Sequence, residues 1–163
     1  MTPKIIHQIW LGSDLPASID SWKRQNPSCT HILWNEQNLK NWQFHSPETI
    51  RYEILYHMGG VFVDANIPCH DPLKASLFQY ECATLADSSI IAAQPRCELM
   101  RLCIEEPARL LQVAQKHQYP IKIFSEMTGP PEEEIKTCRR LGVLCHFRYK
   151  MKSSATMKFA NRD

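Results

Sequence analysis

Asp64 follows the apolar run in the stretch Gly59-Gly60-Val61-Phe62-Val63-Asp64-Ala65-Asn66, and Glu48 and Arg51 stand a short way upstream. A carboxylate followed two residues later by a side-chain amide suits a hard divalent cation. Mg²⁺ or Mn²⁺ would take a few oxygen ligands from Asp64 and Asn66 and fill the remaining positions with phosphates and water. Arg51 lies three residues from Glu48 and so shares a helical face with it, where it would serve a diphosphate or sugar hydroxyls. Trp10 offers a flat face for a nucleobase. Plainer uses of the same residues exist: Asp and Asn both favour turns, Glu and Arg three apart form surface ion pairs, and tryptophan fills cores. His146 reads as a strand side chain rather than a ligand. Nothing in the sequence marks a dedicated catalytic base or nucleophile.

These groups need elements to hold them. Lys4–Trp10 is β-branched and apolar enough for a strand that Gly12 stops. Residues 17–26 suit a short helix ended by Asn26-Pro27, and 30–35 read as a second strand. In the next element Ser46 is the expected N-cap, Pro47 the first helical residue, and Glu48 a first-turn acid favoured by the helix dipole. Ile50, Ile54, Leu55 and Met58 give that helix an apolar face, Gly59 is its stop, and 61–63 form a short buried strand suited to the middle of a parallel sheet. Further strands are expected at 89–93 and 143–149. Residues 96–117 read as two helices or one kinked at Pro107, and 128–142 as a helix whose acids come early and arginines late. The polar stretch 149–163 reads as a tail. Strands alternating with helices predict a single α/β domain over 1–163, with a mostly parallel sheet flanked by helices. In such sheets ligands bind at the carboxyl ends of the strands, where Trp10, Asn35, Asp64 and Asn66 all fall.

Composition narrows the function. A net charge of +2 over 163 residues, with no basic block, argues against nucleic acid as a partner. The longest apolar runs are strand-sized, too short to cross a bilayer, and the N-terminus has no continuous apolar stretch of the secretory kind, so a soluble, cytoplasmic chain is expected. Seven cysteines at irregular spacing, without a Cys-x-x-Cys pair, read as reduced thiols packed as small apolar side chains.

The order of the pieces resembles glycosyltransferase family 32, the DXD sugar-binding family of yeast-type mannosyltransferases and lactosylceramide galactosyltransferases, and more remotely the clostridial glucosylating toxins. "PKIIHQIWLG" with "SWKRQNP" and "ILW" is similar to that family's N-terminal block. "IRYEILYHMGGVFVDAN" followed by "PL" is similar to its central block, and "IIAAQP" and "MTGPP" to later landmarks. The likeness runs from residue 3 to about 130. It implies a GT-A-like, Rossmann-like fold and a retaining hexosyltransferase using a UDP- or GDP-linked sugar, with Mn²⁺ or Mg²⁺. The acceptor would be a glycan, a lipid or a protein. On that resemblance Trp10, with Ile9 and Leu11 beside it, would hold the nucleobase. Arg51 and Gly60 would contact the donor, and Glu48 its sugar. Asp64 would contact ribose, sugar and metal-bound water, and Asn66 would stand at the second acid of the motif, a direct metal ligand. Glu48 replaces the family's usual Asp, Phe62 its frequent Tyr, and Asn66 its second Asp. Besides an active transferase, the same pattern is open to two other readings. One is a nucleotide-sugar binder whose catalysis has lapsed; the other is an interaction domain in which GGVFVDAN is only packing and a turn.

Overall fold

Val61, Phe62 and Val63 set the plan of the sheet, because successive strand residues point to opposite faces and all three are apolar. In the computed structural model, which describes residues 1–42, 44–85, 88–124, 133, 136 and 142–147, they lie in strand β3 (Gly60–Val63), every residue of which is buried. The other strands are β1 (Ile5–Ile9), β2 (Thr30–Trp34), β4 (Cys82–Leu85), β5 (Ile90–Ala93), β6 (Ile121–Phe124) and β7 (Leu144–Phe147). They form one seven-stranded sheet in the order β2-β1-β3-β5-β4-β7-β6. β1 pairs in parallel with β2 on one side and with β3 on the other, Ile6 lying opposite His31 and Val61. β7 likewise pairs in parallel with β4 and β6. Between these two parallel sets, β5 runs antiparallel to both β3 and β4. The architecture is therefore α/β with a mostly parallel sheet.

Alternation sends one set of side chains to each face. Ile6, Val61, Val63, Ala83, Ala92 and Cys145 pack with Trp22 of helix α1 (Ala17–Gln25) and Phe78 of a 3₁₀ turn (Ala75–Gln79). Phe62, Cys82, Ile91, Ala93 and Leu144 pack on the other face. There they meet Tyr52 and Leu55 of α3 (Ile50–Met58), Leu99 and Met100 of α4 (Glu98–Glu105), and Leu110 and Val113 of α5 (Leu110–Lys116). Each fully buried aliphatic side chain contributes on the order of 1.5–3 kcal/mol by leaving water. Pro107 separates α4 from α5, the break its fixed φ and missing N–H impose. The described cysteines are all free thiols, and Cys69, Cys82, Cys97, Cys103 and Cys145 are buried.

Several elements depart from the sequence reading. A one-turn helix, α2 (Glu36–Leu39), follows β2. It is capped reciprocally by Asn35, whose Oδ1 accepts the N–H groups of Gln37 and Asn38 while Asn38 Oδ1 accepts that of Asn35. Asn35 at the strand exit is thus a helix cap. Helix α3 begins at Ile50, not Pro47, and its N-cap is Thr49 rather than Ser46. The Ser46 carbonyl is occupied closing a turn with the Thr49 N–H, and the helical bonds start at Thr49 O. Strands β4 and β6 were not read from the sequence, and β3 is parallel on one side only. The helix expected at 128–142 lies mostly outside the described residues, as do the landmark at 127–131 and the tail at 149–163.

Gly59 and Gly60 adopt φ of +65° and +106°. A Cβ on Gly59 would stand 2.5 Å from Pro95 Cδ, and one on Gly60 2.7 Å from Ile5 O and 2.9 Å from His7 Nε2. Both steric room and backbone conformation therefore require glycine where α3 turns into β3.

Candidate functional site

The carboxyl ends of β1 and β3 meet the start of α3 around an open cleft of about 270 Å³, lined by Ile9, Pro47, Glu48, Arg51, Phe62, Asp64 and Ala65. Glu48, Arg51 and Asp64, which lie up to sixteen residues apart in sequence, are thus brought together on one surface with Ile9 beside them. Ile9 and Phe62 supply an apolar floor, and the three charged groups stand around it.

Asp64 is placed by the strand it leaves and by the turn it starts. Its N–H continues the β3–β5 pairing by bonding Ser89 O at 3.0 Å. Its Oδ1 accepts the Asn66 N–H at 3.0 Å and the Asn66 side-chain amide at 3.3 Å. This is an Asx turn, the local use to which Asp and Asn are suited. Helix α1 secures the following loop: Ser18 Oγ donates to Ala65 O, Trp22 Nε1 donates to Ile67 O at 2.7 Å, and Ser21 Oγ accepts from Cys69 N at 2.8 Å. The turn leaves Asp64 Oδ2 and Asn66 Oδ1 outside these bonds. Asp64 and Asn66 are both exposed. Among the described residues no three His, Cys, Asp or Glu side chains converge as a ligand set. Asp64 lines the cleft and Asn66, beside it on the turn, does not. A cation at this turn would take one carboxylate and at most one amide oxygen from these two residues and most of its ligands from phosphates and water.

Arg51 is half-buried, its guanidinium 5.1 Å from the centre of the Tyr52 ring. Among the described residues it makes no ion pair. Glu48, the partner its spacing suggests, is exposed. Hydrogen bonds from its own backbone N–H and from Ser46 hold its carboxyl below the usual range. The guanidinium hydrogen-bonds the Tyr52 side chain, and no carboxylate among the described residues neutralises its charge at the cleft.

Behind the cleft, a buried histidine ties the elements together. His7 is 0% exposed. Trp34 Nε1, which can only donate, lies 3.2 Å from His7 Nδ1, so that nitrogen is the acceptor and Nε2 carries the proton to Gly59 O at 2.8 Å. Burial pushes the His7 pKa down, and the Gly59 bond offsets part of that. One neutral imidazole thereby links β1, β2 and the glycine turn from which β3 carries Asp64. A second buried group, Glu53, underlies the segment before α3. Neither was singled out from the sequence. The signal available was a histidine following two isoleucines in a strand, Ile5-Ile6-His7, and an acid in the apolar run of α3.

Three residues expected at the site are not among those that line the cleft. The half-buried Trp10 indole lies against Gly12, where an added Cβ would be 2.8 Å from the ring, and its Nε1 is buried with no hydrogen-bond partner among the described residues. Leu11 is 57% exposed, outside the cleft lining, and Gly60 is buried within β3. His146 is a buried residue of β7.

Three comparisons bear on this arrangement. The chain is 33% identical over 99 residues to inositol phosphoceramide mannosyltransferase 1 of Schizosaccharomyces pombe, a match covering 46% of this chain and 31% of that protein. It is 28% identical over 157 residues to inositol phosphoceramide mannosyltransferase 2 of the same yeast, covering 78% and 44%. It is 25% identical over 160 residues to mannosyl phosphorylinositol ceramide synthase CSH1 of Saccharomyces cerevisiae, covering 80% and 41%. The matches span less than half the length of each of these relatives. No protein-family model and no solved structure matches the chain.

Proposed function

We propose that this chain carries the donor-binding site of a glycosyltransferase, which moves a hexose from a nucleoside diphosphate sugar to an acceptor hydroxyl. The observation that carries the reading is the Arg51 guanidinium, without an ion pair among the described residues, sharing one cleft with Asp64 and Glu48 at the carboxyl edge of the sheet. An α/β sheet with such an edge is where ligands of this class bind. The similarity to yeast mannosyltransferases supports it. Because those relatives are named for mannose and for inositol phosphoceramide, a mannosyl donor and an inositol-phosphate lipid acceptor are the first candidates.

In this reading Arg51 binds the diphosphate, Glu48 the sugar hydroxyls, and Asp64 the ribose and sugar. Trp10 follows Ile9 of the cleft in sequence and is assigned to the base, although its indole lies against Gly12 and outside the cleft lining. The bond between the anomeric carbon and the phosphate oxygen breaks, the acceptor oxygen bonds to that carbon with retained configuration, and the acceptor's proton passes to the leaving diphosphate. No side chain of the cleft needs to act as base, so the chain contributes orientation and charge. A Mn²⁺ or Mg²⁺ ion, held by Asp64 and Asn66, would supply Lewis-acid stabilisation of the diphosphate.

A second reading is a nucleotide-sugar binder without turnover. It is favoured by the side-chain amide of Asn66, which turns its nitrogen to Asp64 and leaves the cation a single carboxylate at that turn. Calorimetric titration with UDP, GDP, UDP-glucose and GDP-mannose, with and without Mn²⁺, separates the readings. The transferase predicts that one base is preferred and that Mn²⁺ tightens it, and that Arg51→Ala weakens binding by about tenfold or more. Metal-indifferent binding without turnover favours the binder. Absence of binding to all four ligands would refute both.

A further inference from the structure

Glu53 has a buried carboxylate for which the chemistry just described has no use. It is 3% exposed and sits on α3 two residues past Arg51, hence on another face of the helix. Its Oε1 accepts the Thr49 hydroxyl at 2.6 Å and the His45 backbone N–H at 2.9 Å, and His45 Nδ1 lies 3.2 Å from Oε2. Burial by itself raises a carboxyl pKa. Here the bonds from Thr49 and His45 outweigh it and hold Glu53 below the usual range, so the group is an anion in the fold. A hydroxyl has one proton, and the charged carboxylate is the stronger of the acceptors near Thr49 Oγ1. The same oxygen accepts the Ser46 N–H at 3.1 Å. The segment from His45 to Thr49 is therefore tied at both ends to one carboxylate on α3. Between the ties stand Pro47 and Glu48, the two residues of this segment that reach the cleft.

We infer that Glu53 is a positioning residue for the donor sugar: it fixes the turn that presents Glu48 to the cleft beside Arg51. The inference rests on the reading of Glu48 as the sugar-binding carboxylate. Glu48 itself is exposed and is steadied by Ser46 and its own N–H, and Ser46 is in turn held by Thr49. Releasing Glu53 lets the whole turn move, and a carboxylate ordered only on binding loses conformational entropy at that moment. Arg51 belongs to the helix and does not depend on the ties.

The test is a double-mutant cycle between Glu53→Ala and Glu48→Ala, read by calorimetry with GDP-mannose and GDP, or UDP-glucose and UDP if the uridine pair is the one bound. Glu53→Ala is expected to weaken the nucleotide sugar about tenfold or more and the bare diphosphate less than about twofold, since one charge-assisted contact to the sugar is lost. In the Glu48→Ala background it should bring no further loss. Glu53→Gln, which keeps an acceptor for Thr49 and His45, should recover most of the affinity. Thr49→Val removes one tie and should show the same selective loss at smaller size, and it serves in place of Glu53→Ala if that variant does not fold. A merely structural Glu53 would lower the two ligands equally, or act undiminished without Glu48, and either result overturns the inference while leaving the transferase reading intact. Failure of the wild-type protein to bind any nucleotide sugar overturns both.

Discussion

Asp64 and Asn66 show how one pair of residues serves two purposes. Their side chains close an Asx turn through the bonds at Asp64 Oδ1, which is the local use their types suggest. The turn also brings Asp64 to the cleft with Arg51, which spacing alone does not establish. Asn66 adds an amide oxygen but no charge, and charge count is a main lever on the affinity of oxygen sites. Asn66→Asp is therefore expected to raise Mn²⁺ affinity about tenfold in calorimetry. An unchanged or weaker affinity would mean that the cation does not sit at these residues. Glu48 and Arg51 teach the complementary lesson. Three apart, they read as one helical face, yet Glu48 precedes the helix and its carboxyl turns to Ser46. They meet at the cleft rather than as an ion pair.

At the scale of elements, the junction from α3 to β3 decides where the site can form. Gly59 is legible as a helix stop, but the necessity of both glycines comes from Pro95, Ile5 and His7, which approach from other segments. Ser46-Pro47 is a good local helix signal, yet α3 starts at Ile50. Thr49 and Glu53 draw that stretch into a turn, a tertiary preference that overrides the local one. The neutral His7 at this junction makes stability depend on pH. In the unfolded chain it titrates near about 6.5, whereas burial lowers its pKa in the fold. The unfolded state then takes up the proton first as pH falls. The contribution of His7 is accordingly complete above about pH 6.5 and is lost progressively below it, with a slope of at most about 1.4 kcal/mol per pH unit. Urea unfolding of wild type and His7→Gln between pH 5 and 7.5 should give curves that converge toward low pH, on the order of that slope apart. Parallel curves would show that the imidazole is not held neutral.

Across the whole molecule, β5 is the strand that joins the two parallel sets, pairing antiparallel with β3 and β4. Ile91 lies within it, fully buried and opposite Phe62, which itself lines the cleft. Ile91→Ala should cost about 2–5 kcal/mol through lost burial and the cavity left behind. Because the sheet is continuous across β5, unfolding should remain a single transition by circular dichroism and tryptophan fluorescence. Separate transitions would mean that the two sets of strands are independent.

The sequence by itself determined the elements whose signals are local. These are the apolar strands β1, β2, β3, β5 and β7, the break at Pro107, the glycine stop of α3, and the polar residues left at strand ends. It also placed Asp64, Arg51 and Glu48 as candidates, since their types and their flanking blocks are visible in one dimension. The short strands β4 and β6 carry too few residues to show a period, and no local signal says whether β5 runs parallel or antiparallel. The partners of His7 and Glu53 are settled only when Trp34, Gly59, His45 and Thr49 converge on them. Local bonding and periodicity are properties of neighbours in the chain. Strand direction, buried hydrogen-bond partners and the meeting of three charged groups across sixteen residues depend on which distant segments close on one another, and so belong to the tertiary structure.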